Sequence, residues 1–125
     1  MKYTKDQKKE YFQGLRDRWA ENKKLADNDQ QAQALYNEVG GDVSYYSFFF
    51  VLQDLRRLGL SGTPYIDTKT FRGWQSAGFV VKKGERSNIH GITWLAPKDK
   101  DGNEDGSFRF PKRYNLFHRS QVQEI

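Results

Sequence analysis

The chain has 125 residues, a net charge of +5 and no cysteine, so we expect one domain over residues 1–125, without disulfide bonds or thiolate metal sites. The positive charge suits a polyanionic partner and excludes an acidic protein that imitates DNA. Residues 1–10 are rich in Lys and lack the apolar segment of a signal peptide, so we expect a cytoplasmic protein that does not enter a membrane.

The first helix is predicted over residues 5–24. Thr4 and Gln7 have the spacing of a capping box, and apolar residues then recur on one helical face among charged ones. The commoner meaning of such a Lys-rich helix is a solvated face, and a phosphate-binding surface is the alternative.

Two further helices are indicated before residue 60. Asn28 or Asp29 can cap the second, which glycines at 40–41 would end. Ser44 can cap the third, and Gly59 stands where a C-terminal glycine belongs. The third helix is the most apolar, so we expect it to be central.

A fourth, short helix carries Phe71 and Trp74, with Thr68 as its predicted cap and Gly78 as its end. The composition then becomes β-branched and aromatic, which predicts strands over residues 79–81, 89–95, 108–110 and 114–118. Residues 82–85 form a predicted turn, and residues 98–106 form the long tip of a hairpin. Helices followed by strands predict an α+β domain with N-terminal helices packed on a C-terminal antiparallel sheet.

The sequence shows no signature of catalysis. It offers His90 and His118 as its two histidines and no HExxH helix, and it lacks nucleophile-elbow and nucleotide-binding motifs. We therefore expect no enzyme and no cofactor, and a hydrolase with an unsignalled carboxylate pair is the least favoured hypothesis. The acidic loop does not match calcium-ligand spacing and is interpreted as solvated; its carboxylates are Asp99, Asp101, Glu104 and Asp105.

Residues 68–86 combine cations with aromatic rings. Such a mixture suits a single nucleic-acid strand, because cations bind phosphates and flat rings stack on exposed bases. The cations are Lys69, Arg72, Lys82, Lys83 and Arg86, and the rings are Phe71, Trp74 and Phe79. Trp74 is either a core residue or a stacking platform, and Tyr46 is the other candidate platform. His118 is either a structural histidine or a phosphate or base ligand.

Several of these residues carry a family resemblance. Phe71 to Trp74, Gly78 and Val81 to Glu85 resemble the "F-x-x-W-x-x-x-G-x-x-V-x-K-G-E" signature of the N-terminal domain of ArdC-type antirestriction proteins. Further matches are Tyr46-Ser47, Gln53, and the closing segment from Tyr114 to Phe117-His118-Arg119-Ser120-Gln121, so that the resemblance covers residues 43–121. Phe50 and His118 stand where the family has Asn and Asp.

The resemblance implies a domain that binds single-stranded DNA, here without the metallopeptidase domain that the family adds. It implies a phage or plasmid counter-defence role in the cytoplasm of a bacterial host. The expected binding residues are Lys69, Arg72, Trp74, Lys82, Lys83, Arg86, Tyr46 and His118. The alternative is a protein that directly inhibits a host defence nuclease, either a restriction enzyme or a CRISPR effector.

Overall fold

The computed structural model of the protein describes residues 4–96, 101–102 and 109–125. Helices occupy the first half of the chain and an antiparallel sheet occupies the second, which confirms the α+β prediction. The elements in chain order are α1 Lys5–Asp27, α2 Gln30–Val39, α3 Tyr45–Leu58, β1 Thr68–Lys69, α4 Phe71–Ser76, β2 Phe79–Val81, β3 Ile89–Leu95, β4 Phe110–His118, the 3-10 turn Arg119–Gln121 and β5 Val122–Glu124.

The predicted helix caps are present in the first three helices. The Thr4 hydroxyl accepts the Gln7 N–H at 3.1 Å, and the Gln7 side chain accepts the Thr4 N–H at 2.9 Å, so the capping box is complete. Asp29, rather than Asn28, caps α2. Gly59 ends α3 with a φ of 68°, a left-handed conformation that favours glycine.

The predicted cap of α4 is wrong. Thr70 is the residue whose hydroxyl accepts the Gly73 N–H, at 3.0 Å. Thr68 lies instead in β1, where it is fully buried and pairs with His118. Thr68 and Thr70 are separated by one residue, so the sequence offered two possible caps. The pairing of β1 with β4 places Thr68 in the sheet and leaves Thr70 as the cap.

The strands form two sheets. One has the order β1-β4-β3, and β3 and β4 make the predicted hairpin. Most of the predicted tip, residues 98–106, lies outside the described residues, as does the start of the predicted strand at 108–110. The other sheet pairs β2 with β5, so the turn at residues 82–85 does not close a hairpin between β2 and β3.

Helix α3 supplies side chains to all three apolar clusters of the core. Phe48, Phe49 and Leu52 pack with the end of α1 and with α2. Val51 and Leu55 pack on Ile89 and Leu116 of the sheet, and Phe50 packs with Leu15 of α1 and Ile92 of β3. The third helix is therefore central, as its apolar composition predicted.

The same helix also covers the outer edge of β3. The Asp54 carboxylate accepts the His90 backbone N–H at 3.0 Å and the Arg57 guanidinium at 3.1 Å. Asp54 is almost buried, so both partners offset the cost of removing its charge from water. This contact fixes α3 against an edge that would otherwise expose unpaired backbone groups.

Candidate nucleic-acid interface

The predicted turn after β2 exists and is exposed along its whole length. We call residues 82–86 the basic turn. The Glu85 N–H donates to the Lys82 carbonyl at 3.2 Å, and Gly84 has a φ of 87°, which a residue with a side chain rarely adopts. Its cations are all exposed to solvent: Lys82, Lys83 and Arg86.

A buried glutamine from the closing segment holds the basic turn in place. The Gln121 amide donates to the Arg86 carbonyl at 2.7 Å and to the Glu85 carboxylate at 3.1 Å. The Lys82 N–H donates to the Gln121 carbonyl at 2.9 Å, and the Lys82 ammonium donates to the Ser120 carbonyl at 3.2 Å. The backbone of the turn is thus fixed from below and the Lys82 ammonium is tied to the closing segment, while Lys82, Lys83 and Arg86 all stay exposed.

His118 organises this closing segment from a buried position. Its Nδ1 accepts the Ser120 N–H at 3.1 Å, so the ring proton lies on Nε2 and is donated to the Ser61 carbonyl at 2.6 Å. The His118 N–H also donates to the Gln121 side chain at 2.9 Å. Both ring nitrogens are used inside the protein, which favours the structural role over contact with a phosphate or base.

Trp74 is fully buried, so of its two alternatives the core residue is confirmed and the stacking platform, for which it was named as a binding residue, is wrong. Its indole N–H donates to the Phe117 carbonyl at 2.9 Å and ties α4 to β4. Lys69 and Arg119 lie over the ring, with their cationic groups 5.6 and 5.2 Å from a ring centroid. The indole supports surface cations and presents no face to a base.

An exposed aromatic residue does lie beside these cations, but it is Phe71. Its ring is 45% exposed and meets the ring of Phe117 edge to face at 6.5 Å. Arg72 follows it and is exposed. Arg119 is held nearby by an ion pair of 2.7 Å with Asp67. Burial alone would raise the Asp67 carboxyl pKa, but the hydrogen bonds and charge it receives, mainly from Arg119, lower the pKa below its ordinary value.

Tyr46 lies away from the basic turn. Its hydroxyl donates to Asp27 at 2.7 Å and the Lys23 ammonium lies 5.3 Å from its ring centroid, at the contact between α1 and α3. Twelve helical residues separate Tyr46 from Leu58, a distance of about 18 Å along α3. Leu58 lies near the turn, because it lines a cleft with Gln121. The structure therefore does not bring Tyr46 into the predicted binding surface.

Two clefts flank these residues. One of about 250 Å³ lies behind the basic turn, between Leu58, Glu85 and Gln121. A wider one of about 870 Å³ at the start of α1 is lined in part by Tyr11 and Arg113 and contains none of the predicted binding residues. The predicted surface is therefore a turn and a helix beside a shallow cleft, and it does not enclose a small molecule.

Three residues that shape this surface were not among the expected binding residues. Phe71 is exposed and Trp74 is buried, and the spacing of the two rings alone does not tell which one faces the core. Arg119 and Gln121 belong to the closing segment, whose position beside the basic turn depends on the pairing of β2 with β5. For Gln121, the available signal was its place in the closing segment that resembles the family's "S-Q" element.

Within the described ranges, no group of three or more His, Asp or Glu side chains lies in an arrangement that could hold a metal ion. In the same part of the chain, no helix is long and apolar enough to cross a membrane.

Comparisons of the chain with protein families, with curated proteins and with solved structures find no match.

Proposed function

We propose that this protein binds single-stranded DNA without catalysing a reaction on it, as an ArdC-like counter-defence factor of a phage or plasmid. The observation that carries the proposal is the basic turn: Gln121 fixes its backbone while three cations stay exposed. Exposed cations on a fixed backbone bind phosphates without first having to be ordered.

The family resemblance gains support from the way its parts meet. The signature's "K-G-E" element and the closing "S-Q" element lie more than thirty residues apart in sequence. Hydrogen bonds from Gln121 to residues 85 and 86 join the two elements directly. Pieces that were matched separately in the sequence are therefore in direct contact in the structure.

A direct inhibitor of a host defence nuclease is the second candidate. Ile66 and Phe71 are 47% and 45% exposed, and Arg119 hydrogen-bonds the Ile66 carbonyl at 3.2 Å. Aromatic and apolar side chains beside an arginine are enriched at protein interfaces. This candidate differs from the first in requiring a protein partner for binding.

The test is a fluorescence-anisotropy titration of labelled single-stranded DNA across a range of salt concentrations. Neutralising Lys82, Lys83 and Arg86 together by alanine should weaken binding to all sequences alike, because phosphate contacts do not read bases. If the three cations bind three phosphates, the logarithmic salt slope of the variant should be shallower by about 2.

A matched control removes three exposed cations of α1, by alanine at Lys5, Lys9 and Lys24. It changes the net charge by the same amount, so an unchanged salt slope in the control assigns the effect to the basic turn. A loss of slope in the control alone would instead favour the phosphate-binding alternative for α1. Addition of a chelator should leave binding unchanged. Equal binding by the turn variant and the parent would move the preference to the nuclease inhibitor.

A further inference from the structure

One face of the β1-β4-β3 sheet collects polar and aromatic side chains. Alternate residues of β4 point to opposite faces, so Asn115 and Phe117 lie opposite the buried Leu116. The strand register pairs Asn115 with His90 and Phe117 with Lys69. Paired residues of neighbouring strands share a face, so these four side chains form one surface.

Helix α1 covers one end of this face and leaves the other open. Ile92 is buried there against Leu15 and Phe50, whereas its cross-strand partner Arg113 is exposed. We call the following residues, all of them exposed or half-buried, the open sheet face: Lys69, His90, Arg113, Asn115 and Phe117.

Positive charge surrounds the centre of the open sheet face. Arg57 donates to Asp54, whose carboxylate also accepts the His90 N–H, and Arg18 lies over the ring of Phe50, which packs on Ile92. Arg113 pairs with Ile92 across the strands, two residues from the partner of His90. Burial lowers the pKa of the His90 imidazole, and the charges of Arg113, Arg18 and Arg57 lower it further. Asp54 opposes them, but its carboxylate already accepts two hydrogen bonds and is almost buried. The field that reaches solvent here therefore favours an anionic partner.

Flat groups lie next to these charges. Phe117 is half-buried and meets the exposed ring of Phe71 at 6.5 Å, so an exposed aromatic surface borders the sheet. Asn115 is exposed between Phe117 and Arg113 along β4, and its amide can both donate to and accept from the edge of a base. Sheets that bind single-stranded nucleic acid combine these same elements, and roughly two or three bases stack on their aromatic residues.

We propose that the open sheet face binds the bases of single-stranded DNA, with Phe117 and Phe71 as stacking surfaces and Arg18, Arg57 and Arg113 as phosphate ligands. This inference rests on the proposed function and assigns its second contact surface. The bound DNA would continue from this face to the basic turn through Arg57. The Arg57 guanidinium donates to the Asn88 carbonyl at 3.4 Å, and Asn88 lies two residues beyond Arg86 of the turn. A protein helix is a poorer occupant. An amphipathic helix binds through its apolar side in a hydrophobic groove, and this face carries cations instead.

Neighbouring cations of β4 supply a matched pair of variants. Arg113 lies on the open sheet face, whereas Lys112 is exposed on the opposite one and pairs with Thr93. Each change to Gln removes one positive charge. Arg113→Gln should weaken binding of single-stranded DNA several-fold and make the logarithmic salt slope shallower by about 0.7, and Lys112→Gln should change neither.

Stacking is tested by Phe117→Leu, which keeps an apolar side chain and removes the flat ring. It should weaken binding by at least about fivefold with an unchanged salt slope, because stacking carries no charge. Tyr36→Leu is the control, since Tyr36 lies on α2 and its ring packs against Tyr45 and Phe48 of α3. Thermal unfolding of each variant checks that the fold is retained, and a photo-crosslinked oligonucleotide should label peptides that contain residues 113–118.

The outcomes separate this inference from the function on which it rests. If the parent protein binds no single-stranded DNA, both fall. If the basic-turn variant loses affinity while Arg113→Gln and Phe117→Leu match their controls, the proposed function stands and the open sheet face is not its binding surface. Equal effects of Arg113→Gln and Lys112→Gln would also overturn the inference, because they would reflect net charge alone.

Discussion

The two faces of the β1-β4-β3 sheet are built from alternate residues of the same strands, yet they differ in almost every property. On the covered face, Leu116 and Ile89 are buried against Val51 and Leu55 of α3. On the open sheet face, Asn115 is exposed and cations gather around a histidine. The period of two in β4 thus separates the side chains that stabilise the fold from those that stay exposed.

The largest expected effect is a loss of stability from a substitution on the covered face. Leu116→Ala should lower the free energy of unfolding by about 2–5 kcal/mol, because it removes buried methyl groups and leaves a cavity. Asn115→Ala, one residue away, should change that free energy by less than about 0.5 kcal/mol, as expected for an exposed side chain. Chemical denaturation of both variants measures the difference directly. Similar losses from the two changes would mean that the open sheet face is packed against something in solution.

A smaller effect is expected from the residue that joins β4 to the basic turn. Gln121→Ala removes hydrogen bonds to residues 85 and 86 and should lower the free energy of unfolding by about 1–3 kcal/mol. Because its cations are no longer fixed, the turn should also bind DNA more weakly, although the net charge is the same. Denaturation and anisotropy titrations together check both parts. The crosslinks to residues 113–118 should persist, which separates the turn from the open sheet face.

Local signals predicted much of the fold from the sequence. Capping at Thr4 and Ser44 depends on contacts within four residues, and the glycine that ends α3 depends on its own backbone angle. The pairing of β2 with β5 was not predictable in this way. It joins segments about forty residues apart, and a three-residue strand carries too little pattern to identify its partner.

The candidate site was predicted less completely for a related reason. The charges of the basic turn were found, since composition alone reveals them. Whether an aromatic ring is buried depends on what packs over it, so the sequence left Trp74 open between core and surface and did not distinguish Phe71 as the exposed ring. The open sheet face needed the register of β3 with β4, because the alternation in residues 112–118 shows two faces without telling which one stays exposed.

The smallest expected effect concerns protons at the centre of the open sheet face. In the free protein the His90 pKa lies below its ordinary value of 6.5, because of burial first and then the charges of Arg113, Arg18 and Arg57, with Asp54 acting in the opposite direction. The unfolded chain therefore binds more protons near this pH. The free energy of unfolding should decrease as the pH falls below about 6.5.

Bound phosphates carry negative charge, as Asp54 does, so they would raise the pKa of the His90 imidazole toward the ordinary value. The complex then holds more protons than the free protein, so the affinity for single-stranded DNA should increase as the pH is lowered from about 8 to about 5.5, with an uptake of at most about one proton. His90→Gln should flatten this dependence. Anisotropy titrations at constant ionic strength measure the slope. An affinity that does not change with pH in the parent protein would place the bound strand away from His90 and would leave the basic turn as the contact surface that remains.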